Sequence, residues 1–132
     1  MSLIKSQPDH SQIRVLIVDD EDSIRTSLSA YLEDYDFEVS SASSAEEALA
    51  LMEHIPFHVG IIDLRLPGMS GDAFIFMAHN IAPLMRFIIH TGSSNYSVTE
   101  ELKRIGIGAD QLFLKPLDDL FAIVDAVEQL VS

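Results

Sequence analysis

From residue 13 onward, short apolar runs alternate with amphipathic stretches. IRVLIV at 13–18 is a short apolar run rich in β-branched residues, which predicts a buried strand. Ile24, Leu28, Tyr31, Leu32 and Tyr35 then fall on one helical face. FEVSSA at 37–42 predicts a weaker strand, and Ser44 followed by Glu47 reads as a capping box. It opens a helix with Ala45, Ala48, Leu49 and Met52 on one face. HVGIID at 58–63 is the third predicted strand, and the turn residues of LPGMSG at 66–71 follow it. A helix then runs to about residue 80, its Phe and Met residues at 74–77 assigned to the core. RFIIHT at 86–91 is the fourth strand and GSSNYS at 92–97 a loop. Val98, Leu102 and Ile105 mark a short helix stopped by Gly106 and Gly108. QLFLK at 111–115 is the fifth strand, and Leu120, Val124, Val127 and Val131 give the last helix. Asp118 and Asp119 are expected in its first turn, where they suit the helix dipole.

Five βα units imply an α/β fold: a parallel sheet with helices on both faces, joined by right-handed crossovers. Periodicity leaves the strand order open, but it places any site outside the carboxyl ends of the strands. Residues 1–12 are polar and aperiodic and read as a flexible tail, leaving residues 13–132 as one domain.

Composition narrows the class. At 132 residues and 48% hydrophobic, the chain suits a single globular domain with a core that needs no staples. It has no cysteine, which excludes disulfides and thiolate metal sites and fits a cytoplasmic setting. No apolar run reaches a membrane span, and nothing at the N-terminus reads as a signal peptide. With 21 acidic against 8 basic residues the net charge is −13, a field that repels nucleic-acid phosphates and argues against direct DNA or RNA binding. The densest acidic run is Asp19-Asp20-Glu21-Asp22.

The chemistry-bearing residues sit at the expected strand ends. The first strand ends in Asp19-Asp20, the third in Asp63, the fourth in Thr91 and the fifth in Lys115-Pro116. In a parallel sheet these ends share one edge, so three carboxylates, a hydroxyl and an ammonium converge. Crowded carboxylates repel unless a cation joins them, and oxygen ligands at a partly solvated edge suit Mg²⁺. One carboxylate is then free to act as a nucleophile, with Lys115 and Thr91 placed to bind the oxygens of an arriving phosphoryl group. Each residue taken alone has an ordinary reading. Asp19-Asp20 caps a helix as readily as it binds metal, Lys115-Pro116 makes a turn, and Thr91 suits any strand. The histidines at 10, 54, 58, 79 and 90 are scattered and read as surface or core residues, not zinc ligands. Ser93-Ser94 beside His90 lacks the glycine pattern of a nucleophile elbow.

VLIVDDED, IIDLRLPGMSG, HTGSS and LFLKP, in that order and spacing, resemble the receiver domains of bacterial two-component response regulators, the CheY-like family, over about residues 13–131. The resemblance implies a flavodoxin-like, three-layer (βα)5 sandwich with a five-stranded parallel sheet of order 2-1-3-4-5. It implies that Asp63 accepts a phosphoryl group from a histidine kinase or phosphotransfer protein in an Mg²⁺-dependent reaction. Asp20 resembles the direct metal ligand, Asp19 the ligand acting through water, and the backbone carbonyl of Arg65 completes the protein's share of the shell. Lys115 resembles the phosphate-binding lysine and Thr91 the switch hydroxyl, and Pro116 implies a cis peptide after Lys115. Output is expected toward an effector domain or target through the 98–131 face, or toward a second copy of the chain. The domain is expected to be a signalling phosphoacceptor that catalyses its own phosphorylation and hydrolysis rather than a conventional enzyme. One departure stands out: the family places an aromatic three residues before the lysine, where this chain has Leu112, while Phe113 faces the other side of the strand.

Other readings fit less well. Aspartate-nucleophile phosphatases place a second acid two residues after the first, a position held here by Arg65. A flavin or cobalamin module needs a phosphate-cradling loop after the first strand, where DDED would repel phosphate. A phosphorylation-independent scaffold has no need of the intact acidic pair, acceptor, threonine and lysine. A receiver excised from a hybrid histidine kinase or multidomain regulator is compatible with every residue named.

Overall fold

The computed structural model describes His10 and residues 12–132. The elements follow in strict alternation: β1 (Arg14–Val18), α1 (Asp22–Asp34), β2 (Glu38–Ala42), α2 (Ala45–Met52), β3 (Val59–Ile62), α3 (Gly71–Ile81), β4 (Arg86–Thr91), α4 (Glu100–Arg104), a 3₁₀ turn (Ala109–Gln111), β5 (Leu112–Leu114) and α5 (Phe121–Val131). The five strands pair in parallel in the order β2-β1-β3-β4-β5. This is the three-layer sandwich expected from the motifs, and it settles the strand order that periodicity left open.

The continuous apolar strands bury one residue on each face in turn. Leu16, Val18, Ile62, Phe87 and Ile89 pack on one side against Ala45, Ala48, Phe74, Ile75, Ala78 and Leu102 of α2, α3 and α4. Val15, Ile17, Val59, Ile61 and Ile88 pack on the other against Leu28, Leu32, Ile123, Val124 and Val127 of α1 and α5. The sheet is thereby fixed between two dry layers, and only its edges and ends meet water.

Helix starts follow side-chain capping. The hydroxyls of Ser44, Ser70 and Thr99 accept from the amides of Glu47, Ala73 and Leu102 at 3.1, 3.3 and 3.3 Å. The capping box is shifted by one residue, since the Glu47 carboxylate takes the Ser43 amide at 2.6 Å rather than that of Ser44. Two expectations are corrected. Asp118 and Asp119 precede α5 instead of lying in its first turn, and Asp119 accepts from the Phe121 amide at 3.0 Å. Met77 is 42% exposed on the outer face of α3, while Phe74 and Ile75 are core. Of the tail expected over residues 1–12, residues 1–9 and 11 lie outside the described residues. His10 is buried, stacked on Phe37 with ring centroids 4.0 Å apart, and reaches the Tyr35 carbonyl and the Glu128 carboxylate.

Gly71 ties α3 to the carboxyl end of β3. A Cβ there would lie 2.3 Å from the Asp63 carbonyl oxygen and 2.7 Å from the Leu64 Cα, both backbone atoms that cannot turn aside. At Gly60 the nearest atom is the mobile Cε of Met85, at 2.9 Å. Gly71→Ala is therefore expected to cost about 2–3 kcal/mol in denaturant unfolding, and Gly60→Ala about 1 kcal/mol or less. Equal costs for the two would show that α3 shifts freely away from β3.

Candidate functional site

The parallel order brings the carboxyl ends of β1, β3, β4 and β5 to one edge, and the loops that leave them carry the polar residues. The amide of Asp19 bonds to the Ala42 carbonyl at 3.1 Å and that of Asp63 to the Val18 carbonyl at 2.9 Å. The sheet ladder thus continues one residue past the strands and holds both carboxylates beside each other. Asp19 and Asp63 are 2% and 4% exposed. The Asp19 carboxylate also accepts from the Glu21 amide at 2.9 Å, which turns the chain into α1. The Asp63 carboxylate accepts from the Arg65 amide at 3.1 Å.

Lys115 enters this acidic edge from the end of β5. Its amide bonds to the Thr91 carbonyl at 2.8 Å, extending the β4–β5 pairing. Its ammonium lies 2.7 Å from Asp19 Oδ2, 2.9 Å from Glu21 Oε1 and 3.1 Å from Asp63 Oδ2. Burial opposes its charge, but the hydrogen bonds it donates to Asp19, Glu21 and Asp63 outweigh that and hold the ammonium above its ordinary range. Burial pushes the Asp19 carboxyl up despite the lysine, and the Lys115 hydrogen bond holds Glu21 below the usual carboxylate range. The peptide between Lys115 and Pro116 is cis.

Asp19, Asp20, Glu21 and Asp63 each offer a carboxylate oxygen, and these oxygens lie within 4.8 Å of one another. Every metal-binding side chain expected from the sequence is in this group. Glu21 is an addition; the DDED run was its only trace, because spacing does not tell which acids of a run turn inward. Against one ammonium, four carboxylates leave the group short of positive charge. An all-oxygen donor set that is half exposed suits a hard divalent cation.

The other expected residues surround this group unequally. Thr91 is fully buried, and its hydroxyl oxygen accepts from the Ser93 amide at 3.4 Å. The Arg65 side chain reaches across to the next loop, its Nε donating to Ser93 Oγ at 3.1 Å. Leu112 packs into the α2–α4 layer, away from the carboxylates, and Phe113 packs into the opposite layer. Ser93, which the sequence offered only as a nucleophile lacking an elbow pattern, instead links Arg65 to Thr91, a role that one serine in a polar loop does not signal. His90 is also unusual. It is buried with neither ring nitrogen partnered, and burial pushes its pKa down to about 4.

A sequence profile of the response regulator receiver domain matches residues 15–128. The alginate biosynthesis transcriptional regulatory protein AlgB of Pseudomonas syringae pv. tomato is 35% identical over 106 residues, which are 80% of this chain and 23% of AlgB. The chain therefore spans about a quarter of the length of such curated relatives. Among solved structures, a CheY-like receiver domain protein from Methanospirillum hungatei superposes with a TM-score of 0.75 at 32% identity, covering 90% of this chain and 94% of that one. Chemotaxis response regulator CheY4 of Vibrio cholerae gives 0.76 at 28% identity, covering 89% and 98%. A response regulator protein from Burkholderia pseudomallei, solved with a phosphorylated aspartic acid and a calcium ion, gives 0.76 at 26% identity, covering 88% and 66%. The chain belongs to the response regulator receiver domain family. It is a phosphoacceptor module of two-component signalling, a class generally not counted among enzymes.

Two outcomes follow from this geometry. Lys115→Met leaves Asp19 and Asp63 buried without their counter-charge, and is expected to cost about 3 kcal/mol of stability at neutral pH without divalent cation. A smaller loss than for an exposed lysine such as Lys103→Met would mean that the ion pairs are solvent-screened. His90 is neutral when folded above about pH 4 and takes up a proton on unfolding below its ordinary pKa of about 6.5. The unfolded state binds more protons between these values, so the histidine costs stability as pH falls from 6.5 to 4. His90→Val is expected to remove about 3 kcal/mol of that acid sensitivity. Parallel stability-against-pH curves for the two proteins would contradict the assignment.

Proposed function

We propose that Asp63 is the phosphoacceptor and that the chain catalyses its own Mg²⁺-dependent phosphorylation. A carboxylate oxygen of Asp63 attacks the phosphorus of a phosphohistidine on a kinase or phosphotransfer protein. The P–O bond forms as the P–N bond breaks, and the leaving imidazole takes a proton from water. The observation that carries this reading is the buried Asp63 carboxylate held 3.1 Å from the Lys115 ammonium beside three further carboxylates.

Asp19, Asp20, Glu21 and Asp63 have the oxygen-only chemistry that Mg²⁺ favours, and Asp20 is assigned as its direct ligand, Asp19 as a ligand through water, and the Arg65 carbonyl as a further ligand. Mg²⁺, when bound, neutralises charge on the transferred phosphoryl group. Lys115 is freed from part of its ion-pair set to follow the negative charge onto the phosphoryl oxygens. Thr91 supplies the hydroxyl that senses them. Such a transfer depends on positioning and charge, and these residues supply both. Hydrolysis of the acyl phosphate at the same site resets the module. The phosphorylated state of a structural relative, the Burkholderia protein, supports an aspartyl phosphate in this fold. The response is read by an effector domain, a target or a second copy through the 98–131 face, in the cytoplasm.

Acetyl phosphate with Mg²⁺ is expected to add one phosphoryl group, mapped by mass spectrometry to Asp63. Asp63→Asn abolishes labelling, and Asp20→Asn abolishes Mg²⁺ binding at millimolar concentration. Phosphate on another residue overturns the assignment. Arg65 Nε donates to Ser93 Oγ at 3.1 Å, and we assign its side chain a place beside the approach of water. Arg65→Ala is expected to speed autodephosphorylation several-fold, about 1 kcal/mol of barrier. An unchanged rate would place the side chain outside that approach.

A further inference from the structure

The loop after β4 holds a tyrosine in an inverted position. Tyrosine usually buries its ring and keeps its hydroxyl wet or hydrogen-bonded. The Tyr96 side chain is only half-buried, yet its hydroxyl is the part removed from water, and that hydroxyl has no partner. Burial and then the Asp72 carboxylate raise its pKa, so the hydroxyl keeps its proton and stays an unused donor. The ring packs on the α2–α4 layer, the same layer that holds Leu112, Val98, Leu102 and Ile105.

A chain of contacts runs from the acceptor to this ring. The Asp63 carboxylate accepts from the Arg65 amide at 3.1 Å, and Arg65 Nε donates to Ser93 Oγ at 3.1 Å. The Ser93 amide donates to the Thr91 hydroxyl oxygen at 3.4 Å, and the Ser93 carbonyl accepts from the Tyr96 amide at 3.1 Å. Ser93 thus joins both neighbours of the acceptor to the turn that seats Tyr96. Of the two bonds that Ser93 makes toward the site, the one from Arg65 uses a donor that a phosphoryl group on Asp63 would compete for, and the one to Thr91 ties Ser93 to a hydroxyl whose own proton is free to turn to that group.

We propose that Tyr96 is the positioning residue that carries the state of Asp63 to α4, with Ser93 as its latch. In the resting form the Ser93 turn holds the ring inward at the expense of the unpartnered hydroxyl. When Thr91 and Arg65 turn to the phosphoryl oxygens, the Ser93 turn loosens and the ring leaves its seat, giving the hydroxyl a partner in water. The vacated seat belongs to the apolar layer that also holds Val98 and Leu102, so α4 shifts with it. This rests on the assignment of Asp63 as acceptor.

The test uses the full chain with 3-fluorotyrosine at its three tyrosines, Mg²⁺ and beryllofluoride as the phosphoryl mimic. The Tyr96 ¹⁹F resonance, assigned through Tyr96→Phe, is expected to shift on addition together with the amides of residues 98–105. Tyr96→Phe removes the unpartnered hydroxyl. It is expected to melt higher than the parent at rest and to shift the resting-to-active balance about tenfold toward rest, so its α4 amides move less at saturation. Tyr96→Ala binds the mimic but leaves α4 unmoved, and Ser93→Ala shifts α4 partly before the mimic is added. A ring that only fills space would make Tyr96→Phe neutral in both readouts, and that result overturns the proposal. Amide shifts at Asp63 without movement of Tyr96 overturn it while leaving the acceptor assignment intact. No shifts at Asp63 in the parent protein overturn both.

Discussion

Everything at the functional edge turns on how one ammonium is shared among buried carboxylates. Lys115 lies within 3.1 Å of Asp19, Glu21 and Asp63, and two of those three are nearly inaccessible to water. Two buried carboxylates side by side would each be forced toward protonation, and a buried lysine toward neutrality. Side by side each sign offsets the other, but the balance is incomplete because the acids outnumber the base. The site is therefore charged, desolvated and short of positive charge at once. Such an arrangement favours whatever brings cations and disfavours any anion that arrives without one.

The sandwich exists to hold that arrangement in place. The strand ends that carry Asp19 and Asp63 are tied to their neighbours by backbone bonds beyond the last regular pair, and Lys115 is tied to Thr91 in the same way. Both faces of the sheet are covered by helices packed on aliphatic side chains. Side chains at the strand ends inherit the rigidity of the sheet, while the loops that follow do not. That division separates the residues proposed to do chemistry, fixed at the ends, from those proposed to respond to it, Arg65, Ser93 and Tyr96, which lie in the loops beyond. A site built this way keeps its geometry while its surroundings rearrange.

The layered fold was legible because buried strands and amphipathic helices differ in period, and this chain keeps those periods clean in β1, β3, β4 and α5. Strand order was not legible from period, since any parallel order gives the same pattern; the four motifs in register supplied it. Asp19, Asp63, Thr91 and Lys115 could be placed together because strand ends of a parallel sheet must share an edge. Glu21 could not, because an exposed acid just past a strand looks like a helix cap until Lys115 is seen beside it. Met77 misled for a related reason. On an α3 that is apolar nearly all round, hydrophobicity alone does not say which face meets the sheet. His10 shows the limit of composition: a polar stretch reads as a tail, yet one aromatic side chain with two hydrogen-bonding nitrogens found a stacking partner and two acceptors.

The position of Leu112 bears on how a signal leaves this edge. An aromatic at that place could turn between a buried and an exposed state, and its two states would differ by a hydroxyl contact and a ring's worth of apolar area. Leucine has no polar atom to satisfy in either state, so it supplies bulk but no choice. Phe113 offers no substitute, because strand alternation commits it to the layer under α1 and α5. What remains in the α2–α4 layer near Thr91 is the loop aromatic, Tyr96, with a polar atom that its present seat leaves unpaired. An equilibrium responds to a small stimulus only when its two states are close in free energy. A fully satisfied side chain gives no such closeness, whereas a ring that gains apolar contact while its hydroxyl loses water does. If Asp63 is the acceptor, the proposed capacity to switch thus lies not in β5 but in the loop after β4, where the change in charge would first be felt.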